Sequence, residues 1–427
     1  MGAGMKVKTE YCIIGNSAAA VGAIEAIRKL DEENLITIVS DEPYHVYSRP
    51  LLPYLLSGAI KEEEIYYREK NFYEKNRVEA ILGKKVTKVD FEERNLTLED
   101  GGIIQYGKLL ISTGSKPITL KGVKELGKEG IHTFTKWDDV KKILKGVKEA
   151  SRALVVGGGL IGLKAAESLN QLGLDVTVVV RGPRVLRRII DERASELVKA
   201  HLEENGVKVI TRNAVKKILG KKKVEAAVLV DGKKIGCEII IMAAGVSPNL
   251  DLIGETAGVK INVGIVVDRH MKTGLPNVYA AGDVAEAYDP IRGVNRLTPI
   301  WPNAYRQGYI AGLNMAGGET EYPGGFDMNS IELFGLPIIS VGLVNPKENE
   351  GCEALAKFYG GKKYRKVVLR NGRVVGAVFV ELIDRVGIVT KLIKDQIGVS
   401  GFKDELLKED FGYISFPKEL RAGLLER

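Results

Sequence analysis

Two short glycine-rich segments carry the residue types that hold a dinucleotide. The first reads Gly15-x-Ser17-x-x-Ala20 and the second Gly157-x-Gly159-x-x-Gly162. Each follows an apolar run, Tyr11 to Ile14 and Ala153 to Val156, and each opens a helical pattern. A strand, a tight turn and a helix in that order aim backbone N–H groups at a pyrophosphate, and glycine at the turn lets the backbone approach it. The candidate contacts are Gly15, Ser17, Ala18 and Ala19 in the first turn, and Gly157, Gly159, Leu160, Ile161 and Gly162 in the second. Ser17 and Ala20 stand where glycines are usual, so the first signature is incomplete and the second complete. Two dinucleotide sites in one chain point to electrons passing between two nucleotides.

Chemistry-bearing residues also lie outside the turns. Asp41 follows a strand expected over Leu35–Val39, where a carboxylate can accept from an adenosine ribose. The run Val278-Tyr-Ala-Ala-Gly282-Asp283 ends a further strand on a carboxylate. Cys12, Cys237 and Cys352 form no close pair, which excludes a disulfide framework, a Cys-x-x-Cys centre and a four-cysteine iron–sulfur site. Cys12 and Cys237 read as buried small hydrophobes, and Glu350 and Glu353 would raise the pKa of Cys352. None of His45, His132, His201 and His270 stands at metal spacing from a carboxylate, so no metal is expected.

Positioning these residues takes an α/β chain of two or three domains, given 427 residues. A β-α-β unit runs through Tyr11–Ile14, a helix from about Ser17 to Leu30, and Leu35–Val39; the section closes at Leu109–Ser112, Thr113 and Gly114. A second unit begins near Arg152, with a helix from about Ile161 to Leu172, a strand Asp175–Val180 and a helix Asp191–Glu204, and ends at Ala244 and Gly245. The echo of Thr113-Gly114 in Ala244-Gly245 implies one Rossmann-like domain inserted in another. The expected division is 1–115 with 245–325, 116–244, and a C-terminal α+β interface domain over 326–427. In that last part Asn371-Gly372 marks a hairpin, and a helix is expected from about Val386 to Ile397.

Composition narrows the class. Hydrophobic content of 45% and charged content of 28% fit a soluble globular enzyme. With no spanning apolar run and no signal-peptide pattern, a cytoplasmic location is expected. The net charge of +8 is spread along the chain, with one dense run at Lys216, Lys217, Lys221, Lys222 and Lys223. That run reads as a solvated turn, or alternatively as a contact for an acidic partner. No basic segment interleaves aromatics, which argues against nucleic acid.

The ordered set of motifs resembles the flavoprotein pyridine nucleotide oxidoreductases with two dinucleotide-binding domains. Within them, Tyr47-Ser-Arg49-Pro50-Leu-Leu52 and Trp301-Pro302-Asn-Ala-Tyr-Arg-Gln307-Gly308 resemble the branch of rubredoxin reductases, ferredoxin reductases, NADH oxidases and coenzyme A-disulfide reductases. The resemblance implies FAD in the first domain, with Gly282-Asp283 at its ribityl chain, and NAD(P)H in the inserted one. Thr113-Gly114 and Ala244-Gly245 match the crossover motifs. Arg49 and Pro50 would lie along the isoalloxazine, and the helix opened by Trp301 and Pro302 would face its pyrimidine end. Where disulfide reductases of the family carry a redox cysteine, residues 44–58 contain none, so electrons should leave the flavin directly. Val180 replaces the acidic residue of NADH-specific members, and Arg181 with Arg187 resembles the arginine pair that binds the 2′-phosphate of NADPH; NADH remains possible. Lys164 stands where many relatives have glutamate, either to neutralise reduced flavin or to cover helix surface. The implied activity is an NAD(P)H:acceptor oxidoreductase, with a small iron–sulfur or rubredoxin-type protein or oxygen as acceptor, and a homodimer as the expected assembly. The alternatives are a thiol-dependent coenzyme A-disulfide or polysulfide reductase, and a flavin-carrying subunit of a larger redox complex.

Overall fold

The computed structural model describes residues 6–118, 128–253 and 258–425. The chain divides into two compact units. The first holds Met1–Leu51, Ile60–Lys116 and Val246–Phe326; the second holds Leu52–Ala59, Pro117–Gly245 and Asp327–Arg427.

The first unit is built on a seven-stranded sheet. Its parallel part runs Val78–Leu82, Ile36–Ser40, Lys6–Ile14, Ile103–Ile111 and Val278–Ala280. Every residue of Ile36–Ser40 is buried, as a strand covered on both faces requires. The register sets Ile14 beside Val39 and Ile111, and Ile111 beside Ala280. The segments carrying Gly15, Asp41, Thr113-Gly114 and Gly282-Asp283 therefore all leave the same carboxyl edge, where open α/β sheets bind ligands. The helix Ala18–Leu30 packs on the helix Trp301–Met315 through small residues: a Cβ on Gly308 would stand 1.9 Å from the Ala19 carbonyl oxygen. Only glycine allows so close a backbone approach.

The second unit contains two principal sheets. One is parallel, in the order Lys208–Thr211, Asp175–Val180, Arg152–Val156, Ile239–Met242 and Ile131–His132. The helix Leu160–Gln171 follows its central strand. The other is antiparallel: Met328–Leu333, Leu336–Gly342, Arg373–Val380, Lys363–Arg370 and Cys352–Gly360, with the helix Val386–Lys394 beside it. Asn371 and Gly372 both have positive φ, the conformation that an Asn-Gly hairpin turn takes. The helix Val386–Lys394 stops three residues short of the expected Ile397, and Gln396 has φ +52, which does not continue a helix. Leu52–Ala59 joins this unit because Leu52, Leu55 and Leu56 are buried and the Pro53 carbonyl accepts from Ser168 Oγ at 2.9 Å. Among the described residues, no helix is long and apolar enough to cross a membrane.

Candidate functional site

In the first unit, Gly15 has φ +113, and a Cβ there would stand 2.2 Å from the Ser112 carbonyl oxygen. The turn is pinned from the side by Asn16, whose amide donates to the Tyr44 carbonyl at 3.1 Å and accepts from the Tyr73 hydroxyl at 2.9 Å. Ser17 is the N-cap of Ala18–Leu30, but its side chain makes no capping bond, and neither does Ile300 at the start of Trp301–Met315. No cap side chain therefore covers the first-turn N–H groups of either helix. The two helices meet at Gly282: a Cβ there would stand 3.4 Å from the Ala19 Cβ and 3.7 Å from the Ala304 Cβ. Gln307, buried, accepts from the Gly282 N–H at 2.8 Å and fixes that turn. Two positive helix ends thus bracket Gly282-Asp283, a setting that favours a phosphate.

Asp283 accepts from Ser115 Oγ at 3.2 Å. Burial pushes its carboxyl above the usual range, against the Ser115 bond and the nearby Arg49 charge. A half-buried carboxylate with one weak donor has capacity left for ligand hydroxyls. Thr113 Oγ1 donates to the Asn249 carbonyl at 2.8 Å, and Asn249 N donates to the Gly114 carbonyl at 2.9 Å, so this crossover is fixed. Asp41 is exposed just beyond its strand. The neighbouring Glu42 is buried and accepts from Arg49 at 2.5 Å and from the Tyr47 hydroxyl at 2.6 Å. Arg49 and Pro50 begin a short 3-10 turn. Trp301 packs edge-on against Tyr67 with ring centroids 5.0 Å apart, and Pro302 occupies the first helical turn, where no N–H partner is lost.

The second unit repeats the cradle. Gly157 has φ +127 and lies against the Ala243 carbonyl; Gly162 lies against Gly157. A Cβ on Gly159 would meet nothing within 4 Å, so the turn is open where a phosphate approaches. Gly159 is also the N-cap of Leu160–Gln171 and offers no side chain to its first turn. Leu160 is half-buried, and Ile161, Ala244 and Gly245 are exposed at this edge. Val180 ends its strand buried, and Arg181 and Arg187 are exposed on the loop beyond it. These uncapped turns, with glycine at Gly15, Gly157 and Gly159, fit two dinucleotides.

Lys164 presents no loose charge. Its ammonium pairs with Glu167, donates to the Glu332 carbonyl at 3.1 Å and lies 4.7 Å from the Tyr54 ring centroid. Glu167 is buried and also accepts from Phe334 N at 2.6 Å. These contacts tie Lys164 to its own helix, to Glu332 and to Tyr54. Glu42, Asn16 and Glu167 were not singled out from sequence, and Gln307 was read only as part of the Trp301–Gly308 motif; the polar residue inside the Gly15-x-Ser17 turn was the one local signal among the first three.

None of the three thiols is shifted toward the thiolate. Cys12 and Cys237 are wholly buried, and burial pushes each to about 12. Cys352 is half-exposed and also raised, by burial first and by Glu350, with Arg370 opposing. Lys223 of the basic run pairs with Glu129 at 3.2 Å and Glu149 at 3.1 Å. Among the described residues, no cluster of His, Cys, Asp or Glu could hold a metal ion.

Asp283→Ala removes the carboxylate bracketed by the two helix ends. On the expectation that Asp283 meets the ribityl chain of FAD, flavin affinity of that variant should fall by about 1–3 kcal/mol, roughly 5- to 150-fold, and gel-filtered protein should emerge short of FAD. Full flavin content in that variant would mean that Asp283 does not hold the ribityl chain.

The model of the pyridine nucleotide-disulphide oxidoreductases matches residues 9–308. That of the rubredoxin NAD+ reductase C-terminal domain matches residues 328–397. The chain is 32% identical over 373 residues to the nitrite reductase (NAD(P)H) of Bacillus subtilis (strain 168), covering 87% of this chain but 45% of that protein. It is 32% identical over 390 residues to the NADH-dependent phenylglyoxylate dehydrogenase subunit epsilon of Aromatoleum evansii, covering 90% of this chain and 91% of that one. The solved structure of a NAD-dependent persulfide reductase from A. fulgidus superimposes with a TM-score of 0.84 at 26% identity, over 99% of this chain and 83% of that one.

Proposed function

The chain belongs to the pyridine nucleotide-disulphide oxidoreductase family, and from that premise we propose that it is an FAD enzyme that takes hydride from NADPH and delivers electrons to a small iron–sulfur or rubredoxin-type protein. Bound FAD supplies the redox chemistry, accepting an electron pair and releasing electrons singly or together. The residues of this chain bind and orient. Gly15 and the N–H groups of Ser17, Ala18 and Ala19 receive the FAD pyrophosphate, Asp41 its adenosine ribose and Asp283 its ribityl chain. Arg49, oriented by Glu42, lies along the flavin, and the helix end at Trp301 and Pro302 adds positive potential there. Gly157, Gly159, Leu160, Ile161 and Gly162 receive the NADPH pyrophosphate, and Arg181 with Arg187 its 2′-phosphate.

The observation that carries this reading is the pair of uncapped glycine turns at the carboxyl edges of two parallel sheets. The acceptor rests on two supports: the match of residues 328–397 to the rubredoxin NAD+ reductase C-terminal domain, and three thiols whose pKa burial raises. The full-length similarity to a dehydrogenase subunit favours a second reading, in which the same electrons go to a partner chain.

The test is anaerobic. NADPH should bleach the flavin, and rubredoxin or ferredoxin, added separately, should restore its colour faster than air or coenzyme A disulfide. Cys352→Ala should leave both steps intact. Reoxidation by coenzyme A disulfide alone, abolished by Cys352→Ala, would establish the thiol route instead. Sedimentation of the same protein should give a dimer, with residues 326–427 as its interface; a monomer that co-purifies with other chains would favour the subunit reading.

A further inference from the structure

The loop between the strand Asp175–Val180 and the helix Glu192–Glu204 carries Arg181, Arg184, Arg187 and Arg188. Its first half is tied to its own sheet. Leu186 N donates to the Gly158 carbonyl at 2.7 Å, Arg212 N to the Gly182 carbonyl at 2.9 Å, and Ser195 Oγ to the Val185 carbonyl at 2.7 Å. Its second half, residues 187–190, is tied to the first by Ile189 N and Ile190 N, which donate to the Leu186 carbonyl at 2.9 and 3.1 Å, and is held from elsewhere as well. Asn345, beyond the strand Leu336–Gly342, donates its amide to the Arg187 carbonyl at 3.2 Å and to the Ile190 carbonyl at 3.0 Å. The same side chain accepts from Arg184 at 3.5 Å.

Arg184 is drawn inward by these contacts. It lies half-buried and reaches the Ile190 carbonyl at 3.4 Å. Arg181 and Arg187 stay exposed. A Cβ on Gly182 would stand 3.7 Å from Arg187 Cδ and Nε, so the Arg187 stem crosses the loop beside Arg181. Two further residues of the 327–427 part clasp the next element. The Tyr364 hydroxyl bonds Asp191 at 2.6 Å and Lys366 reaches it at 3.3 Å; Asp191 caps the helix Glu192–Glu204 through Ala194 N. Leu186 takes φ +49, uncommon for a branched side chain, so the loop conformation depends on the bonds around it.

We propose that Asn345 is a positioning residue for coenzyme selection: its amide fixes residues 187–190 so that Arg187 stands beside Arg181 as a preformed grip on a 2′-phosphate. This rests on the NADPH reading above. Two guanidinium groups oriented in advance bind a phosphate more tightly than two that must be ordered on binding. Asn345 touches no part of the coenzyme in this scheme; it acts through the Arg187 and Ile190 carbonyls.

The experiment is calorimetric binding of 2′,5′-ADP and of ADP to the FAD-loaded protein. Wild type, Asn345→Ala and Asn345→Asp are compared, with thermal unfolding of each recorded. Wild type should prefer 2′,5′-ADP. In Asn345→Ala that preference should shrink about fivefold, the loss expected for two neutral hydrogen bonds to one segment. Asn345→Asp keeps the acceptor for Arg184 and loses the donors, so it should match Asn345→Ala. The NADPH-to-NADH ratio of kcat/KM should fall in parallel, through KM rather than kcat. A merely structural residue would lower stability and both affinities together and leave the preference unchanged; that result in a folded variant overturns the inference. A wild type that binds both ligands equally overturns the NADPH reading itself, a separate outcome.

Discussion

Gly308→Ala will markedly destabilise the fold and shed flavin. Its new Cβ would stand 1.9 Å from the Ala19 carbonyl oxygen, a backbone atom that no rotamer change can move. The same helix pair is equally tight on either side: a Cβ on Gly22 would stand 2.2 Å from the Tyr305 carbonyl oxygen, and one on Gly312 2.4 Å from that of Ala23. Two opposing terms decide the sign. Alanine favours a helix interior over glycine by about 1 kcal/mol. Forcing the helices apart strips contacts from the buried Ala19, Ala23, Ile310 and Ala311, and overpacking of this kind costs roughly 1–3 kcal/mol or more. Since the obstruction is backbone against backbone, the cost should sit at or beyond the upper end, about 3 kcal/mol. Displacement would also part Ala19 and Ala304, which converge on Gly282, so FAD should be lost with stability. Urea unfolding followed by circular dichroism, with flavin content measured in parallel, checks both. Gly387→Ala is the contrast: nothing lies within 4 Å of its Cβ position, and that variant should be neutral or stabilised by up to about 1 kcal/mol. A wild-type unfolding midpoint and full flavin content in Gly308→Ala would show that the helices do not pack this closely.

Gly308 also marks where reading the sequence stopped. A glycine before a helix has a local reason, so Gly15, Gly157 and the Asn371-Gly372 hairpin were legible from neighbouring residues alone. Gly22, Gly308 and Gly312 sit inside helices, and their reason is a partner helix almost three hundred residues away along the chain. The strands around the glycine turns were legible too, because parallel strands covered on both faces read as continuous apolar runs. Polar pairing was not. Arg49 was visible as a cation beside the expected flavin, but its partner Glu42 carries no pattern of its own, and the pair forms only when the segment 41–51 folds back. Lys164 shows the same limit: sequence gave a charge on a helix, and tertiary structure gave it Glu167. The segment Leu52–Ala59 looked like a continuation of the first domain, yet its apolar side chains are buried within the second unit. Contacts of long sequence separation decide each of these cases, and periodicity reports only local ones.

The paired variant Arg181→Ala/Arg187→Ala should lose most of the preference for NADPH over NADH. Strand Asp175–Val180 ends on a buried valine, so the chain offers no carboxylate there to bind a ribose diol or repel a phosphate. Selectivity then falls to the cations: of the loop arginines Arg184 is turned inward, Arg181, Arg187 and Arg188 are exposed, and the Arg187 stem lies beside Gly182, next to Arg181. Charged hydrogen bonds to a phosphate are worth about 1.5–3 kcal/mol, so the kcat/KM ratio should drop roughly 10- to 150-fold. Activity with NADH should change far less, because NADH has no 2′-phosphate for these groups to hold. The wild-type preference should also weaken as ionic strength rises from about 0.01 to 0.15 M, since exposed charges are screened over that range. Lysine at both positions should restore the salt-dependent attraction but only part of the selectivity, because an ammonium cannot bind phosphate oxygens in the bidentate fork that guanidinium offers. Equal use of the two coenzymes by the wild type, or a preference for NADH, would mean that these arginines are solvated loop residues and that Val180 merely relaxes selection.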